Sequence, residues 1–219
     1  MRRMKRGHYK EDEFQSTMEN VLKFIVRHRD ISILVGIVLV VGIALTVYMF
    51  SRGEQQRPEA DILHMQAVGL LSMGRFDEAE PILLELSNNY KNTRPGKIGL
   101  YYLGVLYYYT GRFEEALENY DKFLARQKDS PLLVPAALIG AGCAAEGLKD
   151  YKRALSYYER IPKNKESPFY YLGMLFSGRV YGLIGNTKKA EEILTDLVAQ
   201  NPPSSILTDA KFYIGYFNR

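Results

Sequence analysis

The chain has 219 residues, 47% of them hydrophobic and 25% charged, a composition ordinary for a folded protein. Its net charge of +4 is concentrated at the front: residues 1–30 hold eight Lys/Arg against five Asp/Glu, and the remainder holds 21 basic and 20 acidic groups. So balanced a main body excludes a nucleic-acid partner read through phosphate charge, and the single cysteine, Cys143, excludes an internal disulfide.

Residues 1–12 are expected to be disordered. The spacing Ser16-x-x-Glu19 fits a capping box, and Phe14, Met18, Val21, Leu22 and Ile25 then recur at helical spacing. With Lys23, Arg27 and Arg29 nearby, residues up to 30 read as a helix on an anionic inner membrane surface, or as a cytoplasmic extension of the helix that follows. The run from Ile31 to Phe50, ISILVGIVLVVGIALTVYMF, carries no charge over twenty residues. At about 1.5 Å per residue it reaches roughly 30 Å, a bilayer core, and it predicts a transmembrane helix over 31–50. A cleaved signal peptide fits less well, because a polar segment precedes the run and no small-x-small cleavage site follows it. Ser32 and Gly36 form one small-xxx-small pair in the span. Beyond the span, Arg52 and Arg57 are the only basic residues before Arg75. The positive-inside rule therefore keeps the N-terminus in the cytoplasm and sends the C-terminal part across the membrane. The expected localisation is a bacterial inner membrane, single-pass, with the C-terminal domain in the periplasm. Residues 51–60, polar and broken by Gly53 and Pro58, read as a linker to a domain over 61–219.

That domain is built on a phrase that recurs. Gly74-Arg75-Phe76-Asp77-Glu78-Ala79 returns as Gly111-Arg112-Phe113-Glu114-Glu115-Ala116, as Lys149-Asp150-Tyr151-Lys152-Arg153-Ala154 and as Gly185-Asn186-Thr187-Lys188-Lys189-Ala190. The alanines at 79, 116, 154 and 190 are 37, 38 and 36 residues apart. A period of this length marks a helical solenoid. Each unit is expected to be two antiparallel helices, A then B. The units run over 61–72 and 76–88, 97–109 and 113–126, 136–146 and 151–160, and 169–183 and 188–200, with a last helix over 207–217 and prolines between units.

The sequence resembles the tetratricopeptide repeat family. The second unit matches its pattern with Leu103-Gly104, Tyr107, Gly111, Phe113, Ala116 and Tyr120. The fourth has Gly178, Tyr181, Gly185, Ala190 and Pro202, the third Gly142, Tyr151, Ala154 and Tyr158, and the first Ala67, Gly74, Phe76 and Ala79. The fold class expected is therefore all-α: one N-terminal transmembrane helix, then a solenoid of about four helix pairs with a C-terminal helix. The resemblance implies a concave groove lined by the A helices. Carried over by position, it takes Tyr101, Val105 and Tyr108 in the second unit, Ile139 and Cys143 in the third, Leu175 and Arg179 in the fourth, and Phe212 and Tyr216 on the last helix. The same positions give His64 and Val68, and Ala136 and Glu146, in the first and third units. Tyr107, Tyr108 and Tyr109 point about 100° apart, so with Tyr107 in the core one of the others faces the groove. A groove of tyrosines with one arginine suits a protein or peptide partner, although the same tyrosines equally serve packing between repeats.

Other chemistry finds no footing. His8, His28 and His64 are too scattered for a metal or catalytic cluster, and Cys143 has no His or Cys at motif spacing. Gly140-Ala141-Gly142 lacks the third glycine and preceding strand of a nucleotide loop. No catalytic residue, metal, cofactor or small-molecule substrate is expected. The layout, with its aromatic-aliphatic Val21-Leu22-Lys23-Phe24-Ile25, single span and trailing repeat domain, also resembles the ancillary SecYEG translocon subunit family. That resemblance implies a scaffold linking the translocon to periplasmic chaperones or exported chains. The alternative is a structural subunit of another envelope assembly, for secretion, division or outer-membrane biogenesis.

Overall fold

A computed structural model describes residues 18, 19, 27, 37–47 and 57–218. The chain divides into two compact units, Met1–Gly53 and Glu54–Arg219. In the first, residues 37–47 are helical with exposed side chains; the rest of the expected span, and the capping box at Ser16, lie outside the described residues. Among the described residues no helix is long and apolar enough to cross a membrane.

The described residues of the second unit form a stack of nine helices: α1 (Pro58–Ser72), α2 (Phe76–Asn89), α3 (Arg94–Tyr109), α4 (Phe113–Arg126), α5 (Leu133–Gly147), α6 (Tyr151–Tyr158), α7 (Tyr170–Leu183), α8 (Thr187–Ala199) and α9 (Ser204–Phe217). They make four antiparallel A/B pairs and a closing A helix. No strand occurs among the described residues. α1 starts at Pro58, inside the stretch read as linker: the proline occupies the first turn, where its missing N–H costs nothing. Pro135 likewise lies in the first turn of α5 rather than before it.

Each A-to-B turn closes in one way. The backbone N–H groups of Gly74, Gly111, Lys149 and Gly185 bond to Leu71, Tyr108, Glu146 and Gly182, and those of the next residues reach back to Leu70, Tyr107, Ala145 and Tyr181. This paired closure puts its central residue in the left-handed region, at φ 71°, 76°, 61° and 83°. Three units supply glycine there; the third supplies Lys149.

Pairing within a unit follows from small residues. Ala79, Ala116, Ala154 and Ala190 of the B helices are fully buried, as is Ala67 of α1, and Gly104, Gly142 and Gly178 of the A helices face Tyr120, Tyr158 and Leu194 of the B helices. A Cβ on Gly142 would stand 2.2 Å from the Tyr158 ring, and one on Gly140 2.4 Å from the Tyr120 ring. The glycines of Gly140-Ala141-Gly142 thus seat B-helix tyrosines.

Successive A helices touch side by side from α1 to α5 and again at α7 and α9, whereas α5 and α7 stand further apart. The core divides at the same place. One cluster runs from Ala60 through Ile161 and Val180; a second holds Leu175, Leu194, Leu197 and Ala210. The cause is α6, which has eight residues where α2 and α4 have 14 and α8 has 13. It ends at Tyr158, two residues before the sequence-based expectation, where the N–H groups of Arg160 and Ile161 bond three residues back to Tyr157 and Tyr158, and Pro162 follows.

Candidate functional site: the A-helix face

Helices α1, α3, α5, α7 and α9 share one side of the stack, and the expected groove positions fall on them. Tyr101 is half-buried, its ring 5.7 Å from Phe123 and 6.0 Å from Tyr120. Burial, with the neighbouring Tyr102 and Tyr109, pushes its hydroxyl pKa up. Val105 and Ile139 are partly buried against the first core. Tyr108 is half-buried beside Phe113, at 5.7 Å. Its hydroxyl is also pushed up, first by burial and then by Cys143 and Glu146, which places Tyr108 in the electrostatic reach of α5. Tyr107 is 5% exposed and Tyr109 69%, so Tyr107 is the core member of the triplet. His64, Val68 and Ala136 are half-buried.

Cys143 and Glu146, one turn apart on α5, meet Arg179 of α7 and Tyr158 of α6. The Tyr158 hydroxyl donates to Glu146 Oε1 and lies 3.4 Å from Cys143 Sγ. Arg179 Nη2 donates to the same Glu146 oxygen at 2.5 Å. The guanidinium lies over the Phe176 ring at 4.9 Å and near that of Tyr213 at 5.9 Å. Burial works against its charge, but the Glu146 carboxylate and the Tyr213 and Tyr158 hydroxyls outweigh burial and hold its pKa above the usual range. Burial raises the Cys143 thiol, which therefore stays protonated at neutral pH and is a poor nucleophile. The described residues contain no group of His, Cys, Asp and Glu able to hold a metal ion.

Three expected positions depart from the groove. Leu175 is 3% exposed and packs in the second core with Leu194, Leu197 and Ala210, so it has no face to offer a ligand. The family register put it in the groove, but the closing helix α9 packs over that part of α7. Phe212 and Tyr216 are 62% and 54% exposed and stacked at 6.0 Å on α9. They form an aromatic patch at the end of the stack. Sequence reasoning did not place Phe176 or Tyr213 at this face, and it read Tyr158 only as packing. Phe176 reaches Arg179 from one turn away on α7, Tyr213 from α9, and Tyr158 of α6 through their shared Glu146.

The tetratricopeptide repeat family matches residues 64–131 and again 101–171. The chain carries tetratricopeptide repeats, and its second unit is an all-α solenoid of that kind. Solved structures agree in fold. A Podosopora anserina protein assigned as a kinesin light chain with nearly identical TPR-like repeats is 17% identical, covers 74% of this chain and 87% of its own, and superposes with a TM-score of 0.59. A double mutant of MamA RS-1 gives 18%, 75%, 97% and 0.57. PilW, a type IV pilus biogenesis factor, gives 15%, 74%, 77% and 0.55. No curated relative matches.

Proposed function

We propose that this chain is a non-enzymatic, membrane-anchored scaffold that holds a protein partner on its A-helix face. The supporting observation is the stripe of half-buried Tyr101, Tyr108, Ile139 and Cys143, which ends at the Arg179–Glu146 pair, whose charges neutralise each other within the protein. Such a surface offers aromatic area without a net charge, which favours an extended polypeptide over a charged small molecule. The uncharged run at 31–50 supports a single-pass anchor in a bacterial inner membrane, and the basic N-terminal segment supports a periplasmic repeat domain. Within that setting the scaffold links the Sec translocon to periplasmic chaperones or to exported chains. The exposed Phe212 and Tyr216 favour a second reading, in which the end of the stack docks into another envelope assembly as a structural subunit.

Crosslinking the tagged full-length protein in membranes and identifying the recovered proteins by mass tests both. Translocon subunits together with periplasmic chaperones would support the first. A different complex, recovered in fixed stoichiometry and lost on Phe212→Ala/Tyr216→Ala, would replace it with the second. Protection of residues beyond 60 from protease added to spheroplasts would overturn the orientation.

A further inference from the structure

Adjacent repeats are braced on their outer side by a tyrosine, a carboxylate and an arginine. Between the first and second units, the Tyr107 hydroxyl donates to Glu80 at 2.9 Å, and Arg112 donates to both oxygens of the same carboxylate at 3.0 and 3.1 Å. The guanidinium also lies 4.2 Å from the Tyr107 ring centroid. Between the second and third units, Tyr157 donates to Asp121 at 2.8 Å and Arg153 to its other oxygen at 3.0 Å, with the guanidinium 6.0 Å from the Tyr157 ring.

Between the third and fourth units the tyrosine and the carboxylate are present without the arginine. Tyr181 donates to Glu159 at 2.7 Å, and among the described residues no ion pair reaches Glu159. Tyr181 precedes Gly185 by four residues as Tyr107 precedes Gly111, so the residue matching Arg112 is Asn186. Its side chain is turned inward, capping α8 at Lys189 N. A pocket of about 340 Å³ opens at this joint. Its lining includes Tyr181, Glu159 and Asp196 beside the apolar Ile161 and Met174. Two lysines also line it: Lys189 is held by Glu192 at 2.8 Å, and Lys163 is exposed and makes no ion pair among the described residues.

We infer that this pocket receives an arginine side chain of a partner polypeptide. The guanidinium pairs with Glu159 and lies on the Tyr181 ring, as Arg112 does with Glu80 and Tyr107, and the apolar lining takes its methylene stem. Charge favours it: Glu159 and Asp196 face one unneutralised cation, Lys163. The site lies between α6, α7 and α8, with Tyr170, Gly173, Met174, Ser177 and Tyr181 of α7 on one wall, and Tyr158 is the residue it shares with the Arg179–Glu146 cluster.

The test is a titration of the peptide Ac-Ala-Arg-Ala-NH2 into the isotope-labelled full chain, followed by backbone amide shifts. The expected result is saturable millimolar binding, with shifts confined to residues around 159–163 and 181–189. Replacing arginine by its neutral isostere citrulline, or Glu159 by Gln, is expected to weaken binding about tenfold. Asn186→Arg supplies the missing group internally and is expected to abolish binding, while Lys163→Gln leaves it unchanged or strengthens it. Absence of saturable shifts, equal binding of the citrulline or a lysine peptide, or undiminished binding by Glu159→Gln or Asn186→Arg would each overturn the inference.

Discussion

Arg179 and Glu146 form the one described ion pair that crosses between the two hydrophobic cores, from α7 to α5, with side chains 22% and 15% exposed. The helices they join are the A helices that stand furthest apart, so the pair and its tyrosine hold the solenoid together where apolar packing is thinnest. Glu146→Gln preserves the shape and leaves a largely buried guanidinium unpaired. Its expected cost is about 1–3 kcal/mol, below the figure for a fully buried pair because water still reaches both groups. Hydrogen exchange should quicken in α7–α9 before α1–α5. Adding Arg179→Met should recover most of the loss, since an apolar side chain of similar size has no charge to leave unpaired. Exchange that rises uniformly would refute a separate fourth-unit core.

Alkaline pH probes the outer brace. Tyr107 is raised from 10.0 to about 12 by burial, then by its bond to Glu80 and that carboxylate's charge, with Arg112 opposing. Below pH 10 both the folded and unfolded chains keep the phenolic proton. Above it the unfolded chain loses the proton first, so the contribution to stability is full below pH 10 and disappears as pH rises through about 12. Tyr107→Phe should lower the melting temperature at pH 8, by the loss of about 1 kcal/mol of hydrogen bonding. It should also flatten the fall between pH 10 and 12. An unchanged alkaline slope would show that the brace does not form.

His64 gives the opposite window. Burial lowers its pKa from 6.5 against the raising effect of Asp61, with Arg94 adding to the lowering, and its Nε2 is buried without a hydrogen-bond partner. The folded state favours the neutral ring, so this contribution is present above pH 6.5 and is lost as pH falls below it. His64→Phe should narrow the gap in melting temperature between pH 7.5 and 5.5. A gap of the same size would mean the ring rearranges to reach water.

The repeat was legible because it rests on local chemistry. The glycine or lysine of each A-to-B turn and the buried alanine five residues later recur at nearly constant spacing, and spacing survives in a sequence. The early end of α6 was only half-legible: Pro162 announces a stop, but not that the stop divides the core. Leu175 shows the same limit. Its helical position is that of a groove residue, yet it is buried among Leu194 and Leu197 of α8 and Ala210 of α9. The cluster of Cys143, Glu146, Tyr158 and Arg179 draws on three helices, and no periodicity reports how far apart α5 and α7 stand.

Lys149 occupies a turn that the other three units give to glycine, at φ 61°. A left-handed conformation costs an L side chain roughly 1–2 kcal/mol, partly offset by glycine's greater freedom in the unfolded chain. Lys149→Gly should therefore stabilise the protein by about 0.5–1 kcal/mol, and Gly111→Ala, at φ 76°, should destabilise it by about 1 kcal/mol. Denaturant melts of the two variants settle the sign. Loss of stability on Lys149→Gly would show that the lysine makes a compensating contact.

Tyr108 and Tyr109 make a matched pair for testing which face binds. They are neighbours on α3, directed about 100° apart. Tyr108 is half-buried toward Cys143 and Glu146, while Tyr109 is 69% exposed and stacks on Phe76 at 6.1 Å. Arg179→Ala is a poorer probe, because it breaks the joint as well as the surface. If the A-helix face holds the partner, Tyr108→Ala should weaken the complex by about 1–2 kcal/mol, roughly five- to thirtyfold. Tyr109→Ala should leave it nearly unchanged. Both should fold, since neither side chain is fully buried, and circular dichroism melts will confirm it. The reverse order of effects would move the binding surface off the A-helix face and toward the aromatic end formed by Phe212 and Tyr216, whose double alanine variant would then carry the loss.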